Sequence, residues 1–98
     1  MIPLKFTGNI SMEEIFTQHK NDIYDKVVEA IVNNYEDLSI TKVEVMTLTI
    51  NDLEYTIDLS RDNFINSLES AIAVYELTED YEKCQLCVNL IKKINSLN

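Results

Sequence analysis

Between Thr41 and Leu59 apolar and polar residues alternate with period two, interrupted once by Asn51-Asp52. With those two residues as the tip of a β-hairpin, Ile50 sits against Leu53, Leu48 against Tyr55 and Met46 against Ile57 on one face. The other face then carries Thr49 with Glu54, Thr47 with Thr56, and Val45 with Asp58. A slip of one residue would turn the apolar set into water, so the pattern itself selects the register. The apolar face is a surface that helices must cover.

Upstream, Ile2, Leu4 and Phe6 alternate with Pro3, Lys5 and Thr7, which predicts a short strand. Pro3 has no amide donor and keeps the start of that strand at an edge. Gly8-Asn9 is a turn. Ser11 with Glu14 forms a capping box, and Ile10 with Ile15 has the spacing of a hydrophobic staple, so a helix starts at Met12. Met12, Ile15, Phe16, His19, Ile23, Val27, Ala30 and Ile31 form its apolar stripe, with Asp22, Asp25, Glu29 and Glu36 opposite. Unbroken to Tyr35 this helix would be roughly 36 Å long, as long as a domain of this size is wide. A bend or break near His19–Asp22 is therefore expected, with Asn21 as the fresh cap. Glu36–Ser39 connects to the hairpin, and strand–helix–strand order implies a right-handed crossover with the first strand parallel to Thr41–Ile50.

After Leu59 a second helix starts at Ser60 or Asp62, burying Phe64, Ile65, Leu68, Ala71, Ile72 and Tyr75. Asp62, Glu69 and Glu76 recur every seven residues on its exposed side. Thr78-Glu79-Asp80 ends that helix and caps a third, whose stripe is Tyr81, Cys84, Val88, Ile91, Ile94 and Leu97. Lys92 and Lys93 fall in its last turns, where cations suit the helix dipole. The fold class is α+β: one domain over residues 1–98, with a small two- or three-stranded sheet built on the 41–59 hairpin. Helices pack mainly on one face of that sheet, in the order β-α-β-β-α-α.

Composition changes this picture in two ways. One Gly and one Pro in 98 residues leave few tight turns and no flexible linker, and they exclude a Gly-rich phosphate loop. The net charge is -9, and all 17 acids lie between Ile10 and Glu82, where only Lys20, Lys26, Lys42 and Arg61 oppose them. Such a field repels nucleic-acid phosphates and anionic membranes and speeds encounters with basic proteins. No apolar run approaches the ~20 residues of a membrane span, and no basic-then-apolar leader opens the chain, so a cytoplasmic location is expected.

Candidate chemistry is sparse. Cys84 and Cys87 form a C-x-x-C, but a structural zinc site needs four ligands and His19 is the only histidine. Both cysteines fall inside a helix, away from the N-terminal position that activates a redox thiol, so they are expected to pack in the core. A metal shared across an oligomer is the alternative. His19 has no nucleophile placed near it by sequence and is expected at the helix bend. The acidic pairs Glu13-Glu14 and Glu79-Asp80 stand at helix starts, where the dipole accounts for them. No cofactor, metal or catalytic residue is assigned, and the chain reads as a non-enzyme.

Residues 68–97 include Glu79-Asp80-Tyr81-Glu82-Lys83, a small residue at Cys84, then Leu86 and a tail of Ile91, Ile94 and Leu97. This segment resembles the UVR helical hairpin of bacterial excision-repair proteins and some stress-response adaptors, with Val88-Asn89 where that family carries Arg-Asp. The resemblance implies contact with other proteins through the hairpin.

In size and charge the whole chain is similar to bacterial immunity proteins and phage-encoded anti-defence proteins. It is expected to bind and block a basic, nucleic-acid-binding protein, its carboxylates acting as a nucleic-acid mimic. Asp22, Asp25, Glu29, Glu36, Asp62, Glu69 and Glu76 would make that contact, with Tyr24 and Tyr35 as desolvated area beside them. Direct nucleic-acid or membrane binding is not expected, and a second copy of the chain is the other candidate partner. The alternative function is a structural or adaptor subunit joined to its complex through the C-terminal helix pair.

Overall fold

The structure, a computed structural model, describes residues 4–97. Its elements are β1 (Leu4–Phe6), α1 (Met12–Gln18), α2 (Lys20–Asn34), β2 (Lys42–Ile50), β3 (Leu53–Ser60), a 3-10 turn at Arg61–Asn63, α3 (Phe64–Leu77) and α4 (Tyr81–Ser96). The sheet order is β1-β2-β3, with β1 parallel and β3 antiparallel to the central β2. α2 lies against β2, α3 against α2, and α4 against α3. This is the α+β order expected from the pattern, with the first helix divided in two. Ile2 and Pro3, the start of the expected first strand, lie outside the described residues.

The hairpin forms as its alternation requires. Asn51 and Asp52 both adopt positive φ, 49° and 66°, which is the backbone of the two-residue turn whose twist matches its strands. Ile50 pairs with Leu53, Leu48 with Tyr55 and Met46 with Ile57. One expected pair is wrong: Asp58 lies opposite Glu44, because a bulge between Glu44 and Met46 adds Val45 to one strand only. The bulge changes the phase of β2, so Val43 comes opposite Leu59 and faces the core together with Met46 and Leu48. Val45 itself is buried.

The turn is also clamped to the N-terminal strand. Asn51 N donates to the Phe6 carbonyl, the Asn51 side-chain amide donates to the Gly8 carbonyl, and Gly8 N donates back to Asn51 Oδ1, all at 2.9 Å. Gly8 has φ +87°, a conformation open to glycine at little cost.

Ser11 caps α1 and accepts from Glu14 N at 3.1 Å, and Ile15 is fully buried. The break falls at His19 (φ -121°, ψ 31°), one end of the expected interval. Asn21 does not cap α2; its amide reaches across to Thr78 Oγ1 at 3.2 Å. The break turns α2 relative to α1, so Val28 is buried while Val27 is half-buried, and Met12 and Phe16 remain exposed. His19 is half-buried, its ring edge-on to Phe6.

Arg61 carries no carboxylate partner among the described residues. Its guanidinium donates to the carbonyls of Ile40 and Asp37 at 2.6 Å, Tyr35 at 3.1 Å and Asn34 at 3.3 Å, and lies over the Phe64 ring. Asn34 and Tyr35 end α2, so one side chain satisfies carbonyls that a helix terminus leaves open and places a cation at the negative end of the dipole.

Downstream, α3 begins at Phe64 after the 3-10 turn, later than Ser60 or Asp62, and buries Phe64, Leu68, Ala71 and Tyr75. Glu79 takes positive φ between the helices, and Asp80 caps α4 by accepting from Lys83 N. The α4 stripe differs from expectation: Cys87, Leu90 and Ile94 are buried, whereas Tyr81 and Leu97 are exposed. Tyr55, expected in the core, is 41% exposed, and its neighbour Leu53 is 61% exposed. The body measures 45 × 33 × 19 Å, and in so thin a slab the helices cover β2 and leave the outer end of β3 open.

Candidate protein-binding surface

Helix α3 is the middle of the helical layer, and one contact ties it to both neighbours. Tyr75 Oη donates to Asp25 Oδ1 of α2 at 2.6 Å, and Lys83 of α4 donates to the same carboxylate at 3.1 and 3.3 Å. Lys83 also lies 3.6 Å from Asp80 and over the Tyr75 ring. Burial, then the Asp25 carboxylate, pushes the Tyr75 phenol far above its ordinary pKa. The hydrogen bond to Asp25 raises the Lys83 ammonium, against a smaller opposing effect of burial. Asp25, read from sequence as a free acid, is therefore an internal acceptor.

The remaining residues read from sequence as partner-binding divide into groups. On α2, Glu29 sits 3.5 Å from Lys26, and Asp22 is exposed beside His19, 3.9 Å from Nδ1. Glu36 is exposed with no ion-pair partner among the described residues, while Tyr24 is half-buried and Tyr35 is buried in the core. Burial, then the neighbouring Glu36, raises the Tyr35 phenol. Asp62 in the 3-10 turn and Glu69 and Glu76 on α3 are all exposed, and none has an ion-pair partner among the described residues. α3 contains no basic residue. Its two carboxylates, Glu69 and Glu76, stand about 10 Å apart along the helix, and Asp62 precedes them by the same seven residues. The sevenfold spacing thus gives the more consistently acidic stripe, and the α2 set is partly neutralised.

A second feature was not legible as a site. Between α2 and α4 lies a groove of about 480 Å³ lined by Val32, Tyr35, Leu86 and Leu90, with Glu36, Glu82 and Lys93 on its rim. It continues into a hollow of about 350 Å³ that shares Val32 and Leu86 and ends at Asp25 and Lys83. Val32 is 42% and Leu86 45% exposed, although both stand on helix faces turned toward a neighbour. Each is a single apolar residue in sequence, and only the fold, which brings α2 and α4 to the two walls of one groove, joins them.

The C-x-x-C contributes no open site. Cys87 is fully buried, and burial, with Cys84 adding to it, pushes its thiol up to about 11. Cys84 is half-buried, its thiol is raised by burial, and its Sγ donates to the Ile72 carbonyl at 3.6 Å. Among the described residues no three His, Cys, Asp or Glu side chains gather as a metal site, and no helix is long and apolar enough to cross a membrane.

Comparisons with protein-family models, curated proteins and solved structures found no match to this chain.

Proposed function

We propose that this protein is a small acidic inhibitor of the immunity or anti-defence type, acting in the cytoplasm by covering a basic, nucleic-acid-binding surface of another protein. One observation carries this reading: half of its few cations are engaged within the protein, leaving exposed Lys5, Lys20, Lys92 and Lys93 against a larger number of exposed carboxylates. Of eight bases against 17 acids, Lys26, Lys42 and Lys83 are in ion pairs and Arg61 is engaged by backbone carbonyls. Glu36, Asp62, Glu69, Glu76 and Glu82 are left exposed to meet an external cation. The same field keeps nucleic acid away, so the protein competes with the nucleic acid for the partner. It acts by binding, without chemistry or a cofactor of its own.

The test is affinity capture of the partner from the native host, followed by binding measured against salt and against nucleic acid. Affinity should fall steeply between low and high ionic strength, and nucleic acid should displace the protein. A partner bound equally well at both salt concentrations would overturn the reading.

A structural or adaptor role through the C-terminal helix pair is favoured by a different observation. Leu77 and Tyr81 are 81% and 65% exposed at the tip of the α3–α4 hairpin, where the segment resembling UVR hairpins turns. In that case Leu77→Asp would abolish capture, and Glu69→Lys with Glu76→Lys would leave it unchanged.

A further inference from the structure

Helices α2 and α4 flank α3 and leave a trough between their outer edges. Asp25 meets Lys83 at one end, Val32 and Leu86 line its middle, and Glu36 and Lys93 stand toward the other. From Asp25 to Asn34 the helical part of the α2 wall is about 14 Å long, and Tyr35 and Glu36 follow directly after its end. Its apolar residues recur at Val28, Val32 and Tyr35, and those of the α4 wall at Leu86 and Leu90, the row spacing into which the ridges of another helix fit. The lining holds Asp25, Glu29, Glu36 and Glu82 against Lys83 and Lys93. Lys83 is already held by Asp25 and Asp80, while Glu36, Glu82 and Lys93 have no ion-pair partner among the described residues, which leaves the rim with more carboxylate than ammonium.

We propose that this trough receives an amphipathic helix of the partner protein, its apolar face on Val32, Leu86 and Leu90 and its Lys or Arg side chains beside Glu36 and Glu82. The inference rests on the reading that the protein binds a basic partner, and it adds where and in what form. An apolar floor with an acidic excess at its rim selects a cationic helix and repels an acidic one. The contact covers Val32 and Leu86, two apolar side chains now 42% and 45% exposed.

The test is a titration of the isotope-labelled full chain, followed by NMR, at about 50 mM salt, where surface charge is weakly screened. The probes are a synthetic Leu/Lys amphipathic helix of about three to four turns, a scrambled peptide of the same composition, and a Leu/Glu helix. The Leu/Lys helix should give saturable shifts at Val28, Val32, Tyr35, Leu86 and Leu90, and the other two should not. Val32→Asp and Leu86→Asp change exposed positions, so the fold persists and affinity should drop about tenfold or more. If the scrambled peptide binds as tightly and moves Asp62, Glu69 and Glu76 instead, the trough is overturned while the acidic-binding reading stands. Equal binding of the Leu/Glu helix in the trough would overturn the charge argument behind both. Absence of saturable binding by either basic peptide, or concentration-dependent shifts at the trough without peptide, would overturn the proposal.

Discussion

Tyr75 donates its hydroxyl to Asp25 at 2.6 Å, joining a fully packed ring on α3 to a carboxylate on α2. The bond gives the only polar atom of a buried side chain its partner, and Lys83 balances the charge from the third helix. Asp25→Ala removes the acceptor and leaves the phenol unsatisfied, which should cost about 1–3 kcal/mol. Tyr75→Phe removes the phenol itself and leaves Asp25 with Lys83 as its partner, so it should cost less, a difference that denaturant unfolding of the two variants would show.

The same phenol predicts an alkaline limit. Its pKa is raised in the folded protein, by burial first and by Asp25 second, so the folded state holds the proton more tightly than the unfolded one. That contribution to stability is complete below the usual tyrosine pKa of about 10 and declines as pH rises beyond it. Unfolding free energy measured from neutral pH to strongly alkaline pH should fall in that window, and Tyr75→Phe should flatten the fall.

Arg61→Lys should be far from conservative. The guanidinium reaches four carbonyls from one plane, and an ammonium cannot span them. A loss of about 2–3 kcal/mol is expected, the size of hydrogen bonds to a charged group, with little dependence on salt because the acceptors are carbonyls. Thermal melts of Arg61→Lys at low and high salt would check both statements.

Gly8→Ala separates backbone conformation from crowding. A Cβ there meets nothing within 4 Å, but φ is +87°. The expected cost is about 1–2 kcal/mol from backbone strain alone. Asn51→Gly should keep the turn and lose the two amide bonds to Gly8, a separate loss of about 1 kcal/mol or more. Adding Asn51→Gly to Gly8→Ala should therefore show non-additivity in a double-mutant cycle.

Thiol reactivity should follow burial. With its thiol pushed up to about 11 and no exposed surface, Cys87 should resist alkylation in the native state at neutral pH. Mass spectrometry after iodoacetamide treatment should find it modified only after denaturant is added.

The hairpin was legible because its period, its turn residues and its register all agree. The bulge left a trace that simple alternation ignores: apolar positions run Val43, Val45, then Met46, Leu48, Ile50, a change of parity that only an extra residue can reconcile with one core face. The helix break was legible from length, but its location at His19 depended on how α1 sits against α2. Tyr55 was misplaced because alternation shows which face is apolar and not how far the helices extend over it. The acids could be counted but not sorted. Whether a carboxylate is free depends on which lysine or hydroxyl tertiary structure brings beside it, and Tyr75 and Lys83 reach Asp25 from 50 and 58 residues away. Arg61 had no local signal, since its acceptors are backbone atoms of a distant helix end.

The amide exchange between Asn51 and Gly8 spans 43 residues of chain. Three-residue β1 has no turn of its own joining it to β2, so its ladder must wait until the hairpin and its tip have formed. This makes the N-terminal strand the natural first step of unravelling. Its amides should be among the earliest in the sheet to exchange with deuterium, while those at the centre of β2 hold out until the whole molecule opens.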